Sequence, residues 1–324
     1  MLKKRTKSEA LFMAELIITT EIMLPVLLML ALGWLLRRMK LMSGDLPGRL
    51  NKLIFQLFLP VMLFDNVRSL TAETTPDLAF PLFIVLGLFA IWLAAMLLVP
   101  RLEKDVRKRG VMVQGVFRSN FAILGVPLMD AMFGESGLAA VSLAMPAVVV
   151  VNNVLAVISL TSQSGQKADL KKIILSAVTN PLIIACALGG LFLLIDIPLP
   201  AACNKMISQL AGVTTPLSLL VLGASLNWQG VKSNRSELIA TVVCKQFVVP
   251  FVMLTLAVLC GFRNETLGVL LICFGAPCAV SSYPMAQAMG GDAELAAGQV
   301  VLTTVFSMAT MFIFIYLGKL LQVL

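Results

Sequence analysis

The sequence predicts an all-α polytopic membrane protein built from two similar halves, and three observations carry that prediction. Of 324 residues, 59% are hydrophobic and only 13% are charged, about half the charged fraction of a soluble chain. Apolar runs of roughly twenty residues recur, each long enough to cross about 30 Å of hydrocarbon. Segments of the second half also repeat segments of the first. Ten spans follow, near residues 16–36, 50–64, 79–99, 111–133, 138–160, 173–195, 206–226, 238–260, 267–289 and 295–320.

The first span looks at its start like a signal peptide, since Lys3, Lys4, Arg5 and Lys7 precede an apolar run. That run continues past a signal-peptide core, ends in LLRRMK and has no small-residue cleavage pattern, so it is read as a retained span. The loops after spans 1, 3, 5 and 7 carry Arg37, Arg38, Lys40 and Arg49, then Arg101, Lys104, Arg107, Lys108 and Arg109, then Lys167, Lys171 and Lys172, then Lys232 and Arg235. The loops on the other side hold only Arg68, Lys205 and Arg263. The positive-inside rule places the richer set in the cytoplasm and both termini outside, against the basic N-terminal tail. The net charge of +8 is thus an orientation signal and implies no nucleic acid.

Several chemistries are excluded by what the chain lacks. It has no His, so a zinc site or a His-activated nucleophile is not expected. Cys186, Cys203, Cys244, Cys260, Cys273 and Cys278 form no Cys-x-x-Cys pair and fall mostly in apolar runs, as buried small hydrophobes do. No Asp-rich metal motif, Gly-x-Gly-Asp pair or nucleotide-binding loop is present, so an enzyme is not expected and ATP coupling would need a partner protein.

The internal repeat is specific. NKLIFQL (51–57) opens span 2 and NKMISQL (204–210) opens span 7. PVLLMLALG (25–33) matches PLIIACALG (181–189) with the same Pro-to-Gly spacing. PLMDAMFGESGLAA from Pro127 aligns without a gap on PMAQAMGGDAELAA from Pro284. Five spans per half, an odd number, force the second half to insert inverted, the arrangement of many secondary transporters. Domain bounds follow: a first repeat at 1–162, a cytoplasmic linker at 163–172 and an inverted repeat at 173–324.

Spans 4 and 9 each contain a stretch unsuited to a lipid-facing helix. FRSNFAILGVP covers 117–127 and FGAPCAVSSYP covers 274–284. Asn120 lies about 14 Å into span 4 from the cytoplasm, and Pro277, its repeat counterpart, about 15 Å into span 9 from outside. Proline breaks helical bonding, and irregular backbone at that depth is tolerated only where it is buried in protein or lines a cavity. It frees carbonyls for a cation and half-helix N-termini for an anion.

These features, Asn then Gly-x-Pro in span 4 and a broken span 9 followed by Gly-Asp-x-Glu-Leu-Ala-Ala, resemble the auxin efflux carrier family, whose bacterial members are related to malonate and malate transporters. The resemblance covers nearly the whole chain. It implies a scaffold domain and a transport domain whose fourth and ninth helices cross at the substrate site, an architecture shared with bile-acid-type and cation/proton transporters. Carried onto this sequence, it points to Asn120, Gly125 and Pro127 in span 4 and to Pro277, Ser281, Ser282 and Pro284 in span 9. SQSGQKADLKK (162–172) is all there is of the long central loop of plant carriers, so a microbial member is expected and auxin is not the expected substrate.

Ionisable residues inside spans are functional candidates because burying them is costly. Arg118 is either a partner for a substrate carboxylate or a snorkelling side chain, and Lys245 in span 8 pairs with a substrate or an acidic residue, or snorkels. Glu21 in span 1 is a proton or cation site or an interfacial carboxylate, whereas Asp65 and Asp130 read as interfacial. One of Asn152 and Asn153 is expected to face the site, with Thr303, Thr304 and Ser307 in the matching region of the second half; Gly33, Gly189 and Gly190 read as close-packing positions. Gly125 and Pro127 are expected to open the span 4 helix, which restarts near Pro127. The function expected is a secondary carrier of a small organic anion, a carboxylate or dicarboxylate, working by alternating access in the cell's inner membrane. Na⁺, H⁺ or no ion could couple it; the resemblance allows a homodimer, since relatives of this architecture are often dimers, but the sequence does not fix the oligomeric state. The alternatives are a cation-coupled bile-acid-type carrier, a channel or a membrane sensor.

Overall fold

The computed structural model describes residues 2–69, 79–162, 179–195, 198–226 and 228–324. The expected linker at 163–172, the start of the expected span at 173–195 and its neighbouring lysines lie outside these residues. Among those described there is no strand. The helices are α1 (Leu2–Arg38), α2 (Leu46–Arg68), α3 (Ala79–Leu102), α4 (Val106–Phe117), α5 (Phe121–Phe133), α6 (Glu135–Ser162) and α7 (Pro181–Leu194). There follow α8 (Ala201–Ser225), α9 (Trp228–Ser233), α10 (Arg235–Leu259), α11 (Asn264–Gly275), α12 (Ser282–Ala288) and α13 (Ala293–Leu320). Among the described residues, seven spans are long and apolar enough to cross a membrane, α4 and α5 counting as one, and α7 and α11 are shorter apolar helices.

Local chemistry starts these helices where they start. Asp105 caps α4 by accepting from Arg107 N at 2.9 Å, and Asp292 caps α13 by accepting from Leu295 N at 2.9 Å. Asn180 accepts from Leu182 N at 2.9 Å, with Pro181 in the first turn, where no N–H is needed. Proline also explains an irregularity inside α2 and α10. Leu59 N bonds to Ile54 O, and Val249 N bonds to Cys244 O, each a π-type step just ahead of Pro60 or Pro250. A proline has no N–H for the carbonyl four residues back, so the helix takes in one extra residue. In α10 the result is that Lys245 and Gln246, adjacent in sequence, are both fully buried.

Glycines let the helices approach closely. A Cβ on Gly33 of α1 would lie 2.2 Å from Leu220 O of α8, and one on Gly223 of α8 would lie 2.1 Å from Leu30 O of α1. A Cβ on Gly189 of α7 would lie 2.9 Å from Phe64 O of α2. This small-residue packing replaces the hydrophobic driving force that helices lack in lipid. Gly190 meets nothing within 4 Å and is not a packing position. The rest of the helices gather round α4 and α5. Trp92 of α3 donates to Ser159 Oγ of α6 at 2.9 Å, and Lys108 of α4 pairs with Glu237 of α10. Large apolar side chains such as Leu28, Leu86 and Phe251 are exposed on α1, α3 and α10, the faces that hydrocarbon covers.

Candidate functional site

The interruption between α4 and α5 and the one between α11 and α12 meet. Arg118 leaves α4 in extended conformation (φ −75°, ψ 126°) and Asn120 (φ −81°, ψ 41°) precedes α5. Ala276 leaves α11 at φ −61°, ψ 153°. Asn120 N then donates to Pro277 O at 2.8 Å. This bond joins the two residues that the repeat alignment pairs. Around it α5 packs on α11, where a Cβ on Gly268 would lie 2.7 Å from the Phe133 ring. Gln114 Nε2 of α4 donates to Ser282 O of α12 at 3.2 Å.

The break is not where Gly125 and Pro127 were expected to put it. The second helix starts at Phe121, and Pro127 lies inside it. The expected restart near Pro127 is therefore corrected to Phe121. The tertiary bond from Asn120 N to Pro277 O fixes the break, while an interior membrane proline is tolerated where neighbours and adjusted bonds satisfy the freed carbonyl. Gly125 is buried and Pro127 exposed, and neither lines the cavity described next.

A cavity of about 360 Å³ opens against the interruptions. Arg118, Ser119 and Asn120, the first turn of α5, Asn152 and Asn153 of α6, and Ser281 line one side. Asp65 and Asn66 of α2, with Ser208, Thr214, Thr215 and Ser218 of α8, line the other. Arg118 is only 2% exposed. Its Nη2 donates to Asn153 Oδ1 and Ser281 Oγ at 2.8 Å each. Its Nη1 donates to Ser282 Oγ at 3.3 Å and to Met285 Sδ at 2.9 Å. All four acceptors are neutral, and among the described residues no carboxylate bonds to it.

Other polar groups are held ready in the same space. Asn120 occupies the cap position of α5, makes no side-chain capping bond and lines the cavity. Ser119 Oγ, Asn152 Oδ1 and Ser218 Oγ are buried without a hydrogen-bond partner among the described residues. Such groups are costly unless something supplies the bond. The first-turn N–H groups of α5 add a partial positive charge at the same wall. No cluster of three or more His, Cys, Asp or Glu lies together among the described residues.

The remaining expected site residues are placed as follows. Pro277 and Pro284 are buried but do not line the cavity, Pro277 serving through its carbonyl. Lys245 is fully buried, does not snorkel and does not line the cavity. Glu21 is exposed on α1 and away from the lining. Asp65 lines the cavity and bonds Arg68, which also donates to Asn204 Oδ1 at 2.8 Å. The polar face of α8 was missed, although Ser208, Ala211, Gly212 and Thr215 recur at helical spacing.

The chain matches, over residues 18–315, the family model described as "Membrane transport protein". It belongs to that family, the auxin efflux carriers. Relatives of the family cover nearly its whole length. An "Uncharacterized transporter" of Methanothermobacter thermautotrophicus is 21% identical over 90% of this chain and 96% of its own. The "Uncharacterized transporter YfdV" of Escherichia coli K12 is 20% identical over 93% and 98%. A Rhizobium meliloti protein named "Putative malonate transporter" is 25% identical over 94% and 96%. This chain is thus a multi-pass membrane protein of a transport family.

Proposed function

We propose that this member of the family is a secondary carrier that moves a small organic anion, a carboxylate or dicarboxylate, by alternating access. The observation that carries the reading is Arg118. A buried guanidinium with only neutral partners, at the wall of a polar cavity, lacks the counter-charge that would offset its desolvation. A substrate carboxylate supplies it, held also by Asn120, Asn153, Ser281 and the α5 N-terminus. A cavity of about 360 Å³ suits a small ligand, and the name of the Rhizobium relative points to the same chemistry.

Ten spans in two inverted repeats belong to the same reading. Reciprocal packing supports them: α1 lies on α8 through Gly33, and α7 lies on α2 through Gly189, the repeat counterpart of Gly33. In this arrangement α1, α2, α7 and α8 form the scaffold, and the cavity lies between it and the interrupted helices. In the same reading both termini lie outside the plasma membrane.

Uptake into proteoliposomes tests the site. Asn120→Ala and Arg118→Ala insert normally and lose dicarboxylate uptake; undiminished uptake by either variant sinks the assignment.

A further inference from the structure

Lys245 is fully buried, and what its ammonium touches is informative. Nζ donates to Phe117 O at 3.4 Å and to Phe274 O at 3.3 Å. Phe117 is the last residue of α4, and Phe274 is the residue before the end of α11. Carbonyls at a helix C-terminus lack helical partners and carry the negative end of the dipole. The donor that would extend α11 onto Phe274 O is Cys278 N, and it bonds Thr303 Oγ1 at 3.0 Å instead. The alignment that pairs Asn120 with Pro277 also pairs Phe117 with Phe274. One ammonium therefore bridges two equivalent carbonyl ends. No carboxylate bonds to Lys245 among the described residues, so the carbonyls and the ammonium compensate one another. The π turn at Cys244–Val248, enforced by Pro250, delivers the side chain there.

Carbonyl ends of interrupted helices are where a membrane carrier coordinates a coupling cation. We propose that Lys245 is a tethered counter-cation occupying that place, so that transport by this chain needs no alkali metal ion. The transport half of this inference rests on the carrier reading; the stability half does not.

The test uses the purified full-length protein, melted in choline, sodium, potassium or ethylammonium chloride at equal ionic strength, together with dicarboxylate uptake into liposomes in choline or sodium. Wild type melts within about 1 °C in all four salts and takes up substrate equally in choline and sodium. Lys245→Ala melts lower in choline, and Na⁺, K⁺ or ethylammonium raises its midpoint by about 5 °C. Its uptake becomes at least about tenfold dependent on the added cation. Sodium-dependent melting or uptake of wild type overturns the proposal, as does a Lys245→Ala protein indifferent to every cation. If Lys245→Ala cannot be purified in choline, solubilisation in sodium or ethylammonium recovers it; failure in every salt also overturns the proposal. Wild-type protein that transports no anion, beside a cation-rescued variant, removes the carrier reading and leaves the tethered cation standing.

Discussion

Arg118 shows how a single residue acquires two jobs. Its guanidinium ties the end of α4 to α6 and α12 through Asn153, Ser281, Ser282 and Met285. It also keeps a positive charge at the cavity wall. Arg118→Lys retains that charge but loses the planar fork, so dicarboxylate uptake falls about 10- to 100-fold, the worth of one charge-assisted hydrogen bond. Asn153 offers a sharper check. Its Nδ2 is fixed on Val149 O at 2.7 Å, aiming Oδ1 at Arg118. Asn153→Asp puts a permanent carboxylate where the substrate carboxylate would balance the charge. This variant folds with an unchanged or higher melting midpoint, yet a dicarboxylate no longer raises that midpoint; a dicarboxylate shift equal to wild type argues against Arg118 as the anion partner. Arg118, Asn120, Ser281 and Ser282 were legible because polar residues in apolar spans stand out and the pattern recurs. Asp65 reads as interfacial from its place at a span end, and that position says nothing of its bond to Arg68.

Whole helices follow the same logic through proline and glycine. Pro60 and Pro250 each force a π step, whereas Pro127 sits inside α5 without ending it. Sequence alone treats the three alike; what differs is the hydrogen bond available nearby. Glycines separate as cleanly. Gly33→Ala and Gly223→Ala drive a methyl into the facing backbone carbonyl, an overlap that costs about 1–3 kcal/mol. Gly190→Ala and Gly212→Ala meet nothing within 4 Å and gain up to about 1 kcal/mol from helix propensity. Thermal melts of the four variants thus fall for the first pair and hold or rise for the second. A uniform response would mean that α1 and α8 do not touch through these glycines.

At the scale of the molecule, the proposed orientation and inverted repeat make a prediction that native cysteines can read. Cys203 and Cys260 are exposed, and the proposed orientation puts them at the outward ends of α8 and α10. A membrane-impermeant maleimide added to intact cells labels both. In a variant lacking these two thiols, Ser43→Cys, in the loop after α1, is labelled only once the membrane is opened. Labelling of Ser43→Cys in intact cells reverses the orientation. The sequence by itself determined the helical class and the pairing of the two interruptions, because hydropathy and an internal repeat are properties of the chain that need no contacts. Only the tertiary structure decided that α5 restarts at Phe121, that α8 supplies the far wall of the cavity, and that Lys245 spans two carbonyl ends. Those outcomes depend on which donor meets which acceptor across helices far apart in sequence, and no local pattern encodes that choice.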